Sequence, residues 1–223
     1  TTEQVTTSVV PDPSSTTATQ LWETLTPNVA SRDVDMKAVI SSTGILYFAS
    51  SDGATAQMHS VNSTDGSEIW TADLGNDIHS NPILSQDESV LYIADQNGVL
   101  HALDNTDNGR ELWTYAAGVG QDVRSQPALS PDGSTIYFGS RDDFMHAVNA
   151  ADGSAKWTFN ANGNVDSSPV VDAAGIIYFG SNSNHLYAIR DDGASATQLW
   201  REQTSFSRDV RSSPALSNNE QRV

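Results

Sequence analysis

Short apolar runs rich in β-branched and aromatic residues recur along the chain, each bounded by polar turn formers. One set reads Ile45-Leu46-Tyr47-Phe48, Val90-Leu91-Tyr92-Ile93, Ile136-Tyr137-Phe138 and Ile176-Ile177-Tyr178-Phe179. A second set alternates large apolar residues with other types: Met58-His59-Ser60-Val61, Leu100-His101-Ala102-Leu103, Met145-His146-Ala147-Val148 and Leu186-Tyr187-Ala188-Ile189. Each run is about 4–6 residues long, too short for a typical helix and the right length for a strand. Asp65-Gly66, Asn97-Gly98, Asp132-Gly133, Asp152-Gly153 and Asp192-Gly193 punctuate the runs. Such dipeptides supply the positive backbone angles that tight hairpins need. No segment sustains a helical period with caps.

Tryptophans fall at positions 22, 70, 113, 157 and 200, with gaps of 48, 43, 44 and 43 residues. A fixed period of this size marks a repeat architecture. Between tryptophans the order is constant. A polar segment ending in proline (Ile78 to Pro82, Val123 to Pro127, Val165 to Pro169, Val210 to Pro214) is followed by the two apolar runs and then by the tryptophan strand. Four short strands joined by hairpins make an antiparallel sheet of the propeller-blade kind. The fold class expected is therefore all-β, a β-propeller of four-stranded antiparallel blades.

The segment Ala147 to Trp157 resembles the tryptophan-docking consensus of pyrroloquinoline quinone (PQQ)-type propeller repeats, Ala-x-Asp-x-x-Thr-Gly-x-x-x-Trp. Ser60 to Trp70 keeps its eleven-residue length, while Ala102 to Trp113 is one longer and Ala188 to Trp200 two longer. Tyr137-Phe138-Gly139-Ser140 and Tyr178-Phe179-Gly180-Ser181 are similar to the family as well, and the resemblance runs over residues 20–223. It implies a family that includes quinoprotein dehydrogenases, BamB-like outer-membrane assembly proteins, and sensor or surface proteins without a known cofactor. Fold follows from such a resemblance more firmly than function.

The repeat register divides the chain into a Ser/Thr/Pro-rich linker or leader over 1–19 and propeller repeats over 20–223. Within the latter, 20–28 is an orphan fourth strand, 29–74, 75–117, 118–161 and 162–204 are blades, and 205–223 opens the next blade. Val223 aligns with Ile136, inside what should be a second strand. Two arrangements are expected: a partial propeller, or a five-bladed ring closed by both termini. The first repeat is the least typical, with Met36-Lys37-Ala38 where the others carry Ser-x-Pro.

Charge narrows the partners. Lys and Arg total 11 against 28 Asp and Glu, a net charge of −17. That surface repels phosphate backbones and anionic lipid, so no nucleic-acid role is expected. No apolar run is long enough to span a membrane. The absence of cysteine removes disulfides and thiolate metal sites. The Ser/Thr-rich leader and the family resemblance together point to a periplasmic, cell-envelope or secreted location.

Two columns emerge when the starts of the first strands are aligned. One holds Asp33, Asp77, Asp122, Asn164 and Asp209; two residues later come Asp35, His79, Arg124, Asp166 and Arg211. First strands lie nearest a propeller's axis, so these side chains should ring one mouth of the channel. The first column reads as loop capping through backbone N–H groups. The second mixes Asp, His and Arg, which suits a binding surface better than a fixed structural task. The resemblance implies that quinoproteins hold PQQ and calcium in this axial region.

Other candidates carry less. His59, His101 and His146 share one repeat position with Tyr187 and belong to different blades, so a stacked strand position is expected and no metal site. Asp104 to Gly109 resembles the start of a calcium loop, but position twelve is Tyr115 and the closing glutamate is missing. Phe144 and Phe206 are the aromatics that the repeat does not account for. Trp22, Trp70, Trp113, Trp157 and Trp200 read as buried docking pegs. There is no nucleophile elbow and no phosphate-cradling glycine loop. The vicinal cysteine pair of quinoprotein alcohol dehydrogenases is absent too. The expectation is a non-catalytic scaffold with a protein partner and no cofactor. A small-ligand or glycan sensor is the alternative, and a PQQ- and calcium-dependent dehydrogenase the minority reading.

Overall fold

A computed structural model describes residues 36–118, 120–204 and 209–217. Trp22, Asp33, Asp35, Phe206, the leader and the orphan fourth strand lie outside the described residues. The first blade comprises β1 (Val39–Ile40), β2 (Ile45–Ser51), β3 (Ala56–Asn62) and β4 (Glu68–Asp73). The second has β5 (Ile83–Leu84), β6 (Val90–Ala94), β7 (Val99–Asp104) and β8 (Arg110–Ala116). The third has β9 (Ala128–Leu129), β10 (Thr135–Gly139), β11 (Phe144–Asn149) and β12 (Ala155–Asn160). The fourth has β13 (Val170–Val171), β14 (Ile176–Ser181), β15 (His185–Asp191) and β16 (Ala196–Gln203). Each blade is one antiparallel sheet with its strands in sequence order, and no helix occurs among the described residues. The chain is thus an all-β arc of propeller blades.

The same bulge interrupts the third and fourth strands of every blade, between Ser60 and Val61, Ala102 and Leu103, Ala147 and Val148, and Ala188 and Ile189. It sets each tryptophan opposite a small residue: Ser60 faces Trp70, Ala102 faces Trp113, Ala147 faces Trp157 and Ala188 faces Trp200. A larger side chain there would displace the indole. Each indole also leans on the tyrosine of its own second strand, at centroid distances of 6.0, 5.8, 5.7 and 5.9 Å for Tyr47, Tyr92, Tyr137 and Tyr178.

Docking onto the next blade requires glycine. A Cβ on Gly109 would lie 2.6 Å from the Trp70 ring, and one on Gly153 would lie 2.5 Å from Trp113. Both glycines also hold positive φ, +71° and +72°, in the hairpin before the fourth strand. Trp157 docks differently: its Nε1 donates to Asp191 Oδ1 at 2.8 Å. Tyrosine hydroxyls add contacts to the following blade. Asn105 Nδ2 donates to Tyr47 Oη (2.6 Å), while Tyr137 Oη donates to Asp191 Oδ2 (2.7 Å). These contacts link the buried clusters that fill the spaces between sheets.

The pegs are unequally buried. Trp70 and Trp157 are each 6 % exposed and Trp113 is half-buried, but Trp200 is 37 % exposed. The expectation of burial fails for Trp200 because β16 is the outermost described strand of the arc. All of its residues but Ala196 are exposed.

The innermost strands pair over only two residues each, in the second to fourth blades immediately after the proline. The polar segment ahead of it bonds through side chains. Ser80, Ser125 and Ser167 are fully buried, and their hydroxyls accept the backbone N–H groups of Ala94, Gly139 and Gly180 at 2.9, 3.1 and 3.1 Å. A hydroxyl thus replaces a ladder carbonyl, which is why serine recurs. The residue after that serine, or after Met36 in the first repeat, reaches sideways to the neighbouring blade. Lys37 N donates to Asn81 Oδ1 (2.7 Å), Gln126 N to Ser168 Oγ (2.9 Å) and Ser168 N to Ser213 Oγ (3.0 Å). These bonds hold the inner segments side by side around the axis.

Candidate axial binding surface

Because the inner segments are tied laterally, residues at one repeat position come to lie in a row. The backbone carbonyls of the first column accept amides from the turn that follows each second strand. Gln96 N donates to Asp77 O (2.8 Å), Arg141 N to Asp122 O (3.1 Å) and Asn182 N to Asn164 O (2.9 Å). This register brings the turn side chains alongside the two sequence columns.

The charged members of the row form one continuous chain. His79 Nε2 stands 3.5 Å from Asp77 Oδ2, and His79 Nδ1 is 3.0 Å from Asp122 Oδ1. Arg124 Nε donates to Asp122 Oδ2 at 2.7 Å. Arg141 spans two blades, with Nη1 3.7 Å from Asp122 Oδ2 and with Nε and Nη2 donating to Asp166 at 2.8 and 3.3 Å. Asn182 Nδ2 also donates to Asp166 (3.2 Å), and Arg211 Nε lies 3.8 Å from it. Arg211 Nη2 completes the row on Asp209 Oδ2 at 2.8 Å. His79, Arg124, Asp166 and Arg211 are therefore brought together; Asp35, the fifth expected member, lies outside the described residues.

Exposure is sorted by sign along the row except at its end, where Asp209 is exposed. The side chains of Asp77, Asp122 and Asp166 are 12, 13 and 6 % exposed, against 32, 44 and 61 % for His79, Arg124 and Arg211. The carboxylates sit below and hold the basic groups upright. For Asp166, burial disfavours the charged form, but hydrogen bonds from Arg141 and Asn182 outweigh it and hold the carboxyl below the usual carboxylate range. The bonds to Asp166 push the Arg141 guanidinium up in turn.

The first column does not behave uniformly. Asp77 caps, accepting the Ile78 N–H at 2.8 Å and the Ser51 hydroxyl. Asn164, with its amide oriented to satisfy both ends, donates to Arg141 O (3.0 Å) and Asp143 Oδ1 (2.9 Å). Asp122 departs from loop capping: its carboxylate faces three basic side chains instead of backbone amides.

At the first-blade end of the row lies an open depression of about 420 Å³, lined by Met36, Lys37, His79, Asn81 and Arg124. Sequence columns alone missed Lys37, Asn81, Arg141 and Asn182. The signal for Arg141 and Asn182 was a third column, Ser51, Gln96, Arg141 and Asn182, at or just after the end of each second strand.

The remaining candidates settle into structural places. His59, His101 and His146 pair across the sheet with Phe48, Ile93 and Phe138, as Tyr187 pairs with Phe179. The rings of His59, His146 and Tyr187 stack on those neighbours at 4.9, 5.2 and 5.2 Å. No cluster of three or more metal-ligating side chains occurs among the described residues. In the calcium-like segment, Asp104 Oδ2 and Asp107 Oδ2 accept from Arg110 at 3.2 and 2.8 Å, so a guanidinium stands where a cation would bind. Phe144 is half-buried against the edge of His146. Among the described residues, the axial carboxylates do not fit calcium either. That ion takes 6–8 oxygen ligands, and here Asp122 and Asp166 already face guanidinium groups.

Known structures share this architecture. BamB from Moraxella catarrhalis superposes with a TM-score of 0.66 at 17% identity, over 83% of this chain and 53% of that one. A crystal structure of the mitotic checkpoint complex gives 0.68 at 18% identity, over 80% and 54%. Quinohemoprotein alcohol dehydrogenase from Comamonas testosteroni gives 0.64 at 16% identity, over 80% and 36%. The chain thus spans about half the length of the first two chains and about a third of the dehydrogenase. No curated protein sequence matches it significantly. Residues 8–216 match the family described as outer membrane protein assembly factor BamB, and with its PQQ-type repeats the chain belongs to that family.

Proposed function

We propose that the chain is a non-catalytic binding module of the bacterial cell envelope or exterior, engaging a protein partner through its axial surface. The observation that carries this reading is the ion-pair row from Asp77 to Asp209, which joins three inner segments to the one that follows them and turns its basic ends outward. Asp77, Asp122, Asp166 and their His79, Arg124 and Arg141 partners are committed to one another, an arrangement suited to presenting a fixed pattern of charge. BamB, a similar propeller, is by its family description an assembly factor, which favours a scaffolding role. A PQQ-dependent dehydrogenase is disfavoured by the calcium misfit at the axis.

The test is capture from a bacterial envelope extract by the immobilised protein. A partner should be retained by the wild type and reduced at least about tenfold by Arg124→Ala with Arg211→Ala, the loss of one charge-assisted contact. Capture unchanged by the pair would move the contact away from the axis. Calorimetry with PQQ and calcium probes the competing reading, which submillimolar binding would revive.

A further inference from the structure

We infer that the depression beside the first two inner segments is a carboxylate pocket, which takes an acidic side chain or the C-terminal carboxylate of a partner polypeptide. The inference rests on the protein-binding reading and adds what the partner presents.

The lining offers donors. Asn81 Oδ1 is already occupied by the Lys37 N–H (2.7 Å), which leaves its amide Nδ2 as the free end. Arg124 uses Nε on Asp122, so both Nη groups remain available. The Lys37 side chain has no partner among the described residues and is exposed. His79 is turned toward Asp122 and Asp77. The best complement to such a set is a group that only accepts. An ionised carboxylate does so, and its two oxygens match the fork of a guanidinium.

Charge supports the same class. Lys37, Arg124, Arg141 and Arg211 are four of only eleven basic residues in a chain with twenty-eight acidic ones. Lys37 and Arg124 line the depression, and Arg141 and Arg211 continue along the row. The three arginines meet Asp122, Asp166 and Asp209, of which Asp122 and Asp166 are shielded beneath them, while Lys37 meets none of these carboxylates. Elsewhere the surface repels anions. A singly charged carboxylate on a carbon stem, laid along Met36, suffers less of that repulsion than a phosphate of about −1.5 to −2.

The full chain should be titrated, by fluorescence anisotropy in 50 mM salt, with three labelled peptides. These are Ala-Leu-Glu-Leu-Ala amide, its Gln counterpart as the amide, and the Gln counterpart with a free C-terminus. The Glu peptide or the free-terminus peptide should bind about tenfold more tightly than the Gln amide, and whichever does identifies the source of the carboxylate. Lys37→Gln and Arg124→Gln should each remove most of that preference, Arg190→Gln should leave it intact, and 500 mM salt should weaken it. Equal binding of all three peptides, or of none, overturns the inference, as does displacement by inorganic phosphate at lower concentration than by acetate. Capture that depends on Arg124 and Arg211 alongside indifferent peptides would sink the carboxylate pocket and keep the protein-binding reading. Capture indifferent to those arginines would sink that reading itself.

Discussion

Arg141 grips Asp166 with two nitrogens, at 2.8 and 3.3 Å, and so ties the turn after β10 in the third blade to the inner segment of the fourth. Asp166 is nearly buried, so removing its partner strands a charge. Arg141→Met should cost about 1–3 kcal/mol of stability in urea unfolding. A double-mutant cycle with Asp166→Asn should return a coupling of about 1 kcal/mol or more. Coupling near zero would mean that the pair is a bystander. The sign of the pH effect follows from the depressed carboxyl. Its contribution is full above the unfolded value near pH 4 and fades as pH falls through the folded one. Arg141→Met should therefore matter less in acid.

Gly153 and Gly175 separate two costs that are usually confounded. Both hold positive φ, +72° and +79°, but a Cβ on Gly153 meets Trp113 at 2.5 Å while one on Gly175 meets nothing within 4 Å. Gly175→Ala should cost about 1–2 kcal/mol, the backbone term alone. Gly153→Ala should cost about 1–3 kcal/mol more, because the indole must move. Red-shifted tryptophan emission from Gly153→Ala, and none from Gly175→Ala, would locate the difference at Trp113. Equal losses would show that docking tolerates a methyl group.

Blade chemistry was legible because every level of the repeat repeats. Tyrosine, tryptophan, the small residue opposite the indole and the Asp-Gly or Asn-Gly hairpin recur in constant order at offsets that vary by only a few residues, so one alignment reveals all four sheets. The axial row was half legible. Aligning first strands isolates His79, Arg124, Asp166 and Arg211, because lateral bonds between inner segments preserve repeat position in space. Arg141 escaped because it sits on a turn distant in sequence, and the hydrogen bond from its backbone N–H to the Asp122 carbonyl brings it to the axis. Trp200 escaped for a different reason: burial of a peg depends on the blade beyond it, which no local pattern encodes.

His101 lies between Asp95 and Glu111, 3.6 Å from the first through Nε2 and 2.8 Å from the second through Nδ1. Burial alone would lower its basicity, but the two carboxylates outweigh it and raise the imidazole above its ordinary value. Its contribution to stability is full below the unfolded value near pH 6.5 and is lost as pH rises through the folded one. Wild-type urea midpoints should therefore drop between pH 6 and pH 8, and His101→Gln should flatten that drop. NMR titration of the His101 ring gives the direct reading, and an apparent pKa below 6.5 would refute the account.

Asp191 gathers the hydroxyl of Tyr137 (2.7 Å), the indole of Trp157 (2.8 Å) and the amide of Gly193 (2.7 Å), and so fastens the third blade to the fourth at the rim. Burial raises the Tyr137 phenol and the neighbouring carboxylate raises it further, because a phenolate would face Asp191. The group therefore contributes fully below the unfolded value near pH 10, and that contribution is lost as pH climbs through the folded one. Tyr137→Phe should cost about 1–3 kcal/mol at pH 7 through the lost bond to a charged acceptor. Above pH 10 the penalty should shrink, because the unfolded wild type gains by ionising its free phenol while the folded protein keeps the buried one protonated beside the carboxylate. Asp191→Ala should cost more than Tyr137→Phe at pH 7, because it orphans the hydroxyl and the indole N–H together. Urea midpoints of the three proteins at pH 7 and pH 11 decide the matter. A Tyr137→Phe penalty that stays constant with pH would show that the hydroxyl contributes packing alone.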